Sequence, residues 1–133
     1  MGSPAVIWMV DDDRSFRDLA DAIAVEAEVA VMTMGVEELA IRRHTHDLPD
    51  GIMLEGSVLT TADAQAMLEG IPRIVICTGR EYASIAEPWT VHPHVRVLRK
   101  PMELDAFERA VSWLAGAADD TSWPTRAPQP PST

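Results

Sequence analysis

The chain has 133 residues, the size of one ordinary domain. Hydrophobic residues make up 47% of it and charged residues 24%, which is close to the globular average and excludes wholesale disorder, collagen-like repeats and a membrane span. The 11 basic and 21 acidic residues give a net charge of −10, so we expect the domain to repel nucleic acid and anionic membranes. A single cysteine, Cys77, excludes an internal disulfide; with no secretion signal at the start, this predicts a cytoplasmic protein.

Short apolar runs alternate along the chain with stretches of helical periodicity. A continuous apolar run is typical of a strand that is buried on both faces, as in a parallel sheet. The predicted strands are Ala5–Val10, Val29–Met34, Ile52–Leu54, Ile74–Cys77 and Val95–Leu98. The predicted helices are Arg14–Ala27, a short segment around Val36–Ala40, Thr61–Leu68, Glu81–Glu87, and a last helix lined by Leu104, Phe107, Val111 and Leu114. The alternation predicts an α/β fold with a five-stranded parallel sheet covered on both faces.

The composition changes near the end of the chain. From Gly116 onward the residues are mostly Ala, Asp, Ser, Thr and Pro, and four of the ten prolines lie in the last ten positions. Such a segment has too few large apolar side chains to build a core. We therefore expect residues 1–117 to form the domain, residues 118–133 to be a disordered tail, and no output domain to follow.

Polar residues stand just beyond the ends of four of the five predicted strands. Asp11–Asp13 follow the first strand, Glu55 the third, Thr78 the fourth and Lys100 the fifth. In an open parallel sheet, ligands bind outside the carboxyl ends of the strands, so these side chains are the candidate site. Clustered carboxylates repel one another, and a hard divalent cation such as Mg²⁺ would relieve that repulsion. A hydroxyl and an ammonium beside the cation would suit a phosphoryl group.

Lys100 is the only lysine in the chain. A compact ammonium acts as a point charge where a planar guanidinium would fit less well. The plain alternative is a surface lysine that ends a strand, but its position directly before Pro101 favours a functional role.

Over roughly Ala5–Ala115 the chain resembles a response-regulator receiver domain of bacterial two-component signalling. The motifs that carry the resemblance are Val10-Asp11-Asp12 with Arg17, Pro49-Asp50, Thr78-Gly79 and Lys100-Pro101, in that order. The resemblance implies a flavodoxin-like sandwich with five flanking helices. It also implies that Asp11 and Asp12 hold Mg²⁺ together with the residue at the acceptor position, that Thr78 contacts the phosphoryl group and that Lys100 pairs with it.

The acceptor position departs from the family pattern. Where receiver domains carry the aspartate that takes the phosphoryl group, this chain has Glu55. The extra methylene moves the carboxylate by up to about 1.5 Å, the length of one carbon–carbon bond. A misplacement of about 1 Å can already cost on the order of a hundredfold in rate. The longer acid could instead reach toward Lys100 or Thr78 and occupy the space that the phosphoryl group would take.

Two further departures accompany Glu55. The Pro-Gly that usually follows the acceptor is replaced by Leu59 and Thr60, and the usual aromatic switch residue by Val97. These residues predict an atypical receiver that is not an enzyme, in which phosphorylation is absent or impaired and Mg²⁺ binds weakly. The resemblance implies protein partners, either a histidine kinase or a downstream effector, through the face formed by the fourth helix, fifth strand and last helix. A homodimer through that face is a further option.

Four other interpretations remain open at this stage. One is a conventional phosphorylation switch with an unusual acceptor, and another is an interaction module in which Asp11 and Asp12 are only solvated acids. A third is a haloacid-dehalogenase-like phosphatase, with Asp11 as nucleophile, Asp13 as acid/base, and Thr78 and Lys100 in support. The last is a zinc site built from one of the two histidine pairs, His44/His46 or His92/His94.

Overall fold

The computed structural model describes residues 4–11, 18, 21–22, 28–45, 47–79, 83–100 and 103–116. The strands are β1 (Val6–Val10), β2 (Ala30–Met34), β3 (Gly51–Glu55), β4 (Ile74–Thr78) and β5 (Val95–Arg99). The α-helices are α1 (Val36–Thr45), α2 (Ala64–Leu68), α3 (Ala83–Ala86) and α4 (Leu104–Leu114), and 3₁₀ helices cover Gly56–Thr60 and Glu87–Val91. Most of the helix predicted over Arg14–Ala27, and the tail predicted over 118–133, lie outside the described residues.

The five strands form one parallel sheet in the order β2-β1-β3-β4-β5. This is the flavodoxin-like order, in which the chain changes direction across the sheet between β1 and β3. The predicted fold class is therefore confirmed. The part of the chain that is described contains four α-helices, where five were predicted.

The core has two layers, one on each face of the sheet, because successive residues of a strand point to opposite faces. Trp8, Ile52 and Ile76 belong to the layer packed beneath α1, α2 and α3. Met9 and Met53 belong to the other layer, which is closed by Phe107, Val111 and Leu114 of α4. All of these side chains are almost completely buried, which accounts for the near-continuous apolar runs in the sequence.

Two arginines attach the end of α4 to the amino edge of the sheet. The guanidinium carbons of Arg73 and Arg96 lie 5.1 and 5.3 Å from the centroid of the buried Trp113 ring. Arg73 also donates a hydrogen bond of 2.5 Å to the Trp113 carbonyl at the end of the helix, which accepts a second one of 3.0 Å from the Gly116 N–H. The contact therefore combines a cation–π interaction with a helix cap.

Asp50, half of the Pro-Asp motif, also lies at the amino edge. Its Oδ2 accepts a hydrogen bond of 2.8 Å from the Val6 N–H, and its own N–H donates one of 2.8 Å to the Val6 carbonyl. This reciprocal pair aligns the start of β1 with the start of β3. Asp50 therefore supports the sheet at the end opposite the candidate site.

Two helices begin or end differently from their predicted limits. The segment predicted as a helix from Thr61 becomes helical only at Ala64. The hydroxyl and the N–H of Thr61 both donate to the Val58 carbonyl, which closes the preceding 3₁₀ turn first. Helix α3 ends at Ala86, and a 3₁₀ turn that begins at Glu87 and contains Pro88 replaces the continuation of the α-helix. Within the described part of the chain, no helix has both the length and the apolar character needed to cross a membrane.

Candidate functional site at the carboxyl edge of the sheet

The topology collects the predicted site residues at one edge. Asp11 follows β1, Glu55 ends β3, Thr78 ends β4 and Lys100 follows β5. The layer under α4 contains Met9, Met53 and Leu98. Positions two residues apart along a strand point to the same face, and two residues after these three come Asp11, Glu55 and Lys100. The three charged side chains therefore emerge on the same face of the sheet.

The Lys100 ammonium contacts the carboxylates of both Asp11 and Glu55. Its Nζ lies 3.3 Å from Glu55 Oε1, within hydrogen-bond distance, and 3.7 Å from Asp11 Oδ2. Glu55 ends β3 and Lys100 follows β5, and these strands are two positions apart in the sheet, a distance of roughly 10 Å that only two long side chains can bridge. The backbone N–H of Lys100 donates to the Thr78 carbonyl at 3.0 Å, which anchors the base of the lysine side chain.

Burial differs sharply among the three charged groups. The Asp11 side chain is 4% exposed, whereas those of Glu55 and Lys100 are 33% and 32% exposed. Partial burial lowers the pKa of Lys100, but the negative charges of Glu55 and Asp11 and the hydrogen bond to Glu55 outweigh it, so the pKa is raised above its ordinary value. The lysine is therefore an ammonium at neutral pH and offsets part of the local negative charge.

Thr78 is at the predicted place but makes a local hydrogen bond. Its side chain is buried, and its hydroxyl donates to the Gly79 carbonyl at 2.8 Å. Val97, where the resemblance to receiver domains predicts an aromatic residue, is half-buried and packs, like Trp89, against the layer under α1, α2 and α3. The described link between Thr78 and Lys100 thus runs through the backbone.

The predicted Mg²⁺ ligands are only partly within the described residues. Asp11 and Glu55 are described, whereas Asp12 and Asp13 lie outside. Among the residues that are described, no group of three or more His, Cys, Asp or Glu side chains is arranged to hold a metal ion. The two described carboxylates offer the hard oxygen ligands that Mg²⁺ prefers, so their chemistry fits such a cation. The predicted roles of Asp11, Asp12, Glu55, Thr78 and Lys100 remain predictions.

A buried thiol lies beside the site and was not recognised from the sequence. Cys77 pairs with Glu55 in the register of β3 and β4 and is 1% exposed. Burial raises the pKa of this thiol to about 12, with Lys100 lowering it and Asp11 and Glu55 adding to the increase. Its position next to Thr78 at the end of an apolar run was the available sequence signal.

The histidine pairs gain no further metal ligand from the described structure. The rings of His92 and His94 lie 5.6 Å apart at an angle of 49°, on exposed residues of the loop before β5. His44 is exposed in the last turn of α1, where a cation favours the helix dipole, and His46 lies outside the described residues. The zinc hypothesis therefore gains no support from the described residues.

Comparisons with known proteins place the fold. No protein-family profile matches the chain, and no curated protein is recognisable as a relative by sequence. A response regulator receiver protein from Burkholderia phymatum is similar in structure, at 21% identity and a TM-score of 0.69, covering 87% of this chain and 98% of that one. A CheY-like response regulator from Mesorhizobium loti is similar at 18% sequence identity and a TM-score of 0.65, and the match covers 84% of this chain and 98% of that one. The pilus assembly protein CpaE from Caulobacter crescentus is similar at 16% sequence identity and a TM-score of 0.63, and the match covers 86% of this chain and 97% of that one. The chain therefore has the fold of receiver domains.

Proposed function

We propose that this protein is an atypical receiver-type signalling module that acts by binding protein partners, with phosphorylation absent or impaired. The observation that carries the proposal is the hydrogen bond of 3.3 Å between Lys100 Nζ and Glu55 Oε1. It joins the residue at the acceptor position to the ammonium that the resemblance assigns to the phosphoryl group.

We infer from this hydrogen bond that phosphoryl transfer to Glu55 is hindered. A nucleophilic carboxylate must present an oxygen to the donor in line with the leaving group, and catalysis of this transfer is almost entirely a matter of positioning. Here one Glu55 oxygen already binds the ammonium that would stabilise the transferred group. The longer side chain of Glu55 thus supplies in the resting protein a negative group at Lys100, which is the basis for a constitutive binding module.

A weakly held Mg²⁺ is part of the proposal. Asp11 and Glu55, together with Asp12, are the residues that would hold it, and the ion would supply charge neutralisation at the acceptor position. Asp11 would contribute a buried carboxylate and Glu55 a partly exposed one.

The proposed partners are proteins, such as a histidine kinase or a downstream effector. The candidate contact face is formed by α3, β5 and α4, and it exposes the apolar side chain of Leu104, the first residue of α4, which is 53% exposed. A homodimer through this face is the alternative use of the same surface. The net charge of −10 disfavours nucleic acid as a partner.

Intact mass spectrometry after incubation with acetyl phosphate and Mg²⁺ tests the proposal. We expect no added phosphoryl group on the wild type and one on Glu55→Asp, because the shorter acid withdraws from Lys100 and restores room at the acceptor. Glu55→Gln is the matched control, since it keeps the length of Glu55 but has no nucleophilic carboxylate.

A phosphoryl group on the wild type that is lost in Glu55→Gln would contradict the proposal. It would establish a conventional phosphorylation switch that uses glutamate as its acceptor. If the wild type, Glu55→Asp and Glu55→Gln all gained a phosphoryl group, the group would lie on a residue other than Glu55. The proposal would then fail, because Glu55→Asp would not be phosphorylated more than the wild type.

A further inference from the structure

The Lys100 ammonium lies against the two carboxylates, Asp11 and Glu55, that would help to hold a divalent cation. It is 3.3 Å from Glu55 Oε1 and 3.7 Å from Asp11 Oδ2, and the lysine backbone is anchored to the Thr78 carbonyl. We propose that Lys100 is a tethered counter-ion that competes with a divalent cation for Asp11 and Glu55 and so weakens metal binding at this site. The inference rests on the metal-binding part of the proposed function and adds a regulator to it.

The charge balance of the cluster supports this competition. Asp11 and Glu55 carry two negative charges when ionised, and Lys100 returns one positive charge, so the described cluster has a net charge near −1 instead of −2. An incoming divalent cation would meet a weaker negative field and a like charge a few ångströms away. Since the Asp11 side chain is only 4% exposed, solvent screens this repulsion less than it would on an open surface.

The tether makes the ammonium a persistent competitor. Lys100 is part of the folded chain, so its local concentration at the carboxylates does not fall when the solution is diluted. Its one-third exposure leaves room for the side chain to swing outward when a cation binds. Metal binding is therefore coupled to release of the Glu55–Lys100 hydrogen bond, and the resting protein favours the paired state.

Arg99 provides a matched control for general charge effects. It is the residue before Lys100, is exposed, and lies on the opposite side of β5 from the cluster because successive strand residues alternate. Removing either side-chain cation changes the net charge of the protein by the same amount. Only the Lys100 substitution removes the competitor from Asp11 and Glu55.

Titration with Mn²⁺, a hard cation with the oxygen preference of Mg²⁺, tests the inference when free Mn²⁺ is followed by electron paramagnetic resonance. We expect Lys100→Met to bind Mn²⁺ about tenfold more tightly than the wild type, the scale of one screened charge–charge interaction. Arg99→Met should stay within about twofold of the wild type, since exposed charges at a distance are screened. Added Mg²⁺ should displace the Mn²⁺ from Lys100→Met.

Equal or weaker binding by Lys100→Met would overturn the inference, and so would an equal gain in Arg99→Met. Circular dichroism checks that each variant is folded, and Lys100→Gln replaces Lys100→Met if the latter is not. An absence of binding in every variant would overturn both this inference and the Mg²⁺ part of the proposed function. The proposal on phosphorylation would be unaffected, because the mass of Glu55→Asp tests it separately.

Discussion

Gly51, the first residue of β3, lies in direct contact with Leu114, the last residue of α4. A Cβ atom at position 51 would come within 2.9 Å of the Cβ, a Cδ and the carbonyl oxygen of Leu114. Side chains in protein interiors do not approach so closely, and the carbonyl belongs to the backbone, so it cannot rotate away. The bare backbone of Gly51 is therefore what allows α4 to pack against the centre of the sheet.

We expect Gly51→Ala to lower the free energy of unfolding by about 1 to 3 kcal/mol, the usual cost of overpacking a core. Urea unfolding followed by tryptophan fluorescence measures it, since Trp8 and Trp113 are both buried. Gly79→Ala is the matched control, because a Cβ there has no atom within 4 Å. Equal losses in the two variants would show that the contact with Leu114 has no special cost.

Arg73 should stabilise the domain through its contacts with Trp113. We expect Arg73→Leu to cost about 1 to 3 kcal/mol in unfolding free energy, because it removes both a cap on a helix carbonyl and a cation–π contact. Arg109→Leu should cost less than about 0.5 kcal/mol, since its ion pair with Asp105 is exposed. Chemical unfolding of the two variants side by side decides the point, and a smaller loss for Arg73→Leu than for Arg109→Leu would contradict it.

Asp50 should matter for stability and not for phosphorylation. We expect Asp50→Ala to lower the unfolding free energy by about 1 to 2 kcal/mol, because the Val6 N–H loses a charged acceptor. Asp50→Asn, which keeps an acceptor oxygen, should recover at least half of that loss. If Asp50→Ala in the Glu55→Asp background changed the yield of phosphorylated protein while folded, Asp50 would have a role at the site that the structure does not show.

Cys77 should be inert toward thiol reagents in the folded protein. The pKa is raised from 9.0 to about 12 chiefly by burial, so at pH 8 the thiolate is about one part in ten thousand of the thiol. A group whose pKa is raised by folding contributes stability below its unfolded pKa and loses it as the pH rises, so unfolding should become easier between pH 9 and 12. Labelling by an aromatic disulfide at pH 8, with and without urea, measures the reactivity. Rapid labelling without urea would contradict the burial of this thiol, and Cys77→Ala supplies the blank.

The sequence was sufficient to predict the sheet. Runs such as Ile74–Cys77 are apolar at every position, which is typical of a strand covered on both faces, and the alternation with helical segments favours parallel strands. The rule that ligands meet the carboxyl ends of parallel strands then selected Asp11, Glu55 and Lys100. The structure places these three residues at one edge of the sheet, as the strand order and direction require.

The finer contacts were decided only by the tertiary structure. Whether Glu55 would reach Lys100 or Thr78 depended on the spacing of β3, β4 and β5 and on the rotamers of two long side chains, none of which is encoded locally. The same holds at the amino edge, where Gly51 meets Leu114 and Arg73 meets Trp113 across 63 and 40 residues of chain. A sequence pattern reports which face of an element is buried, because that depends on the period of one segment, whereas a contact depends on where two segments stop relative to each other.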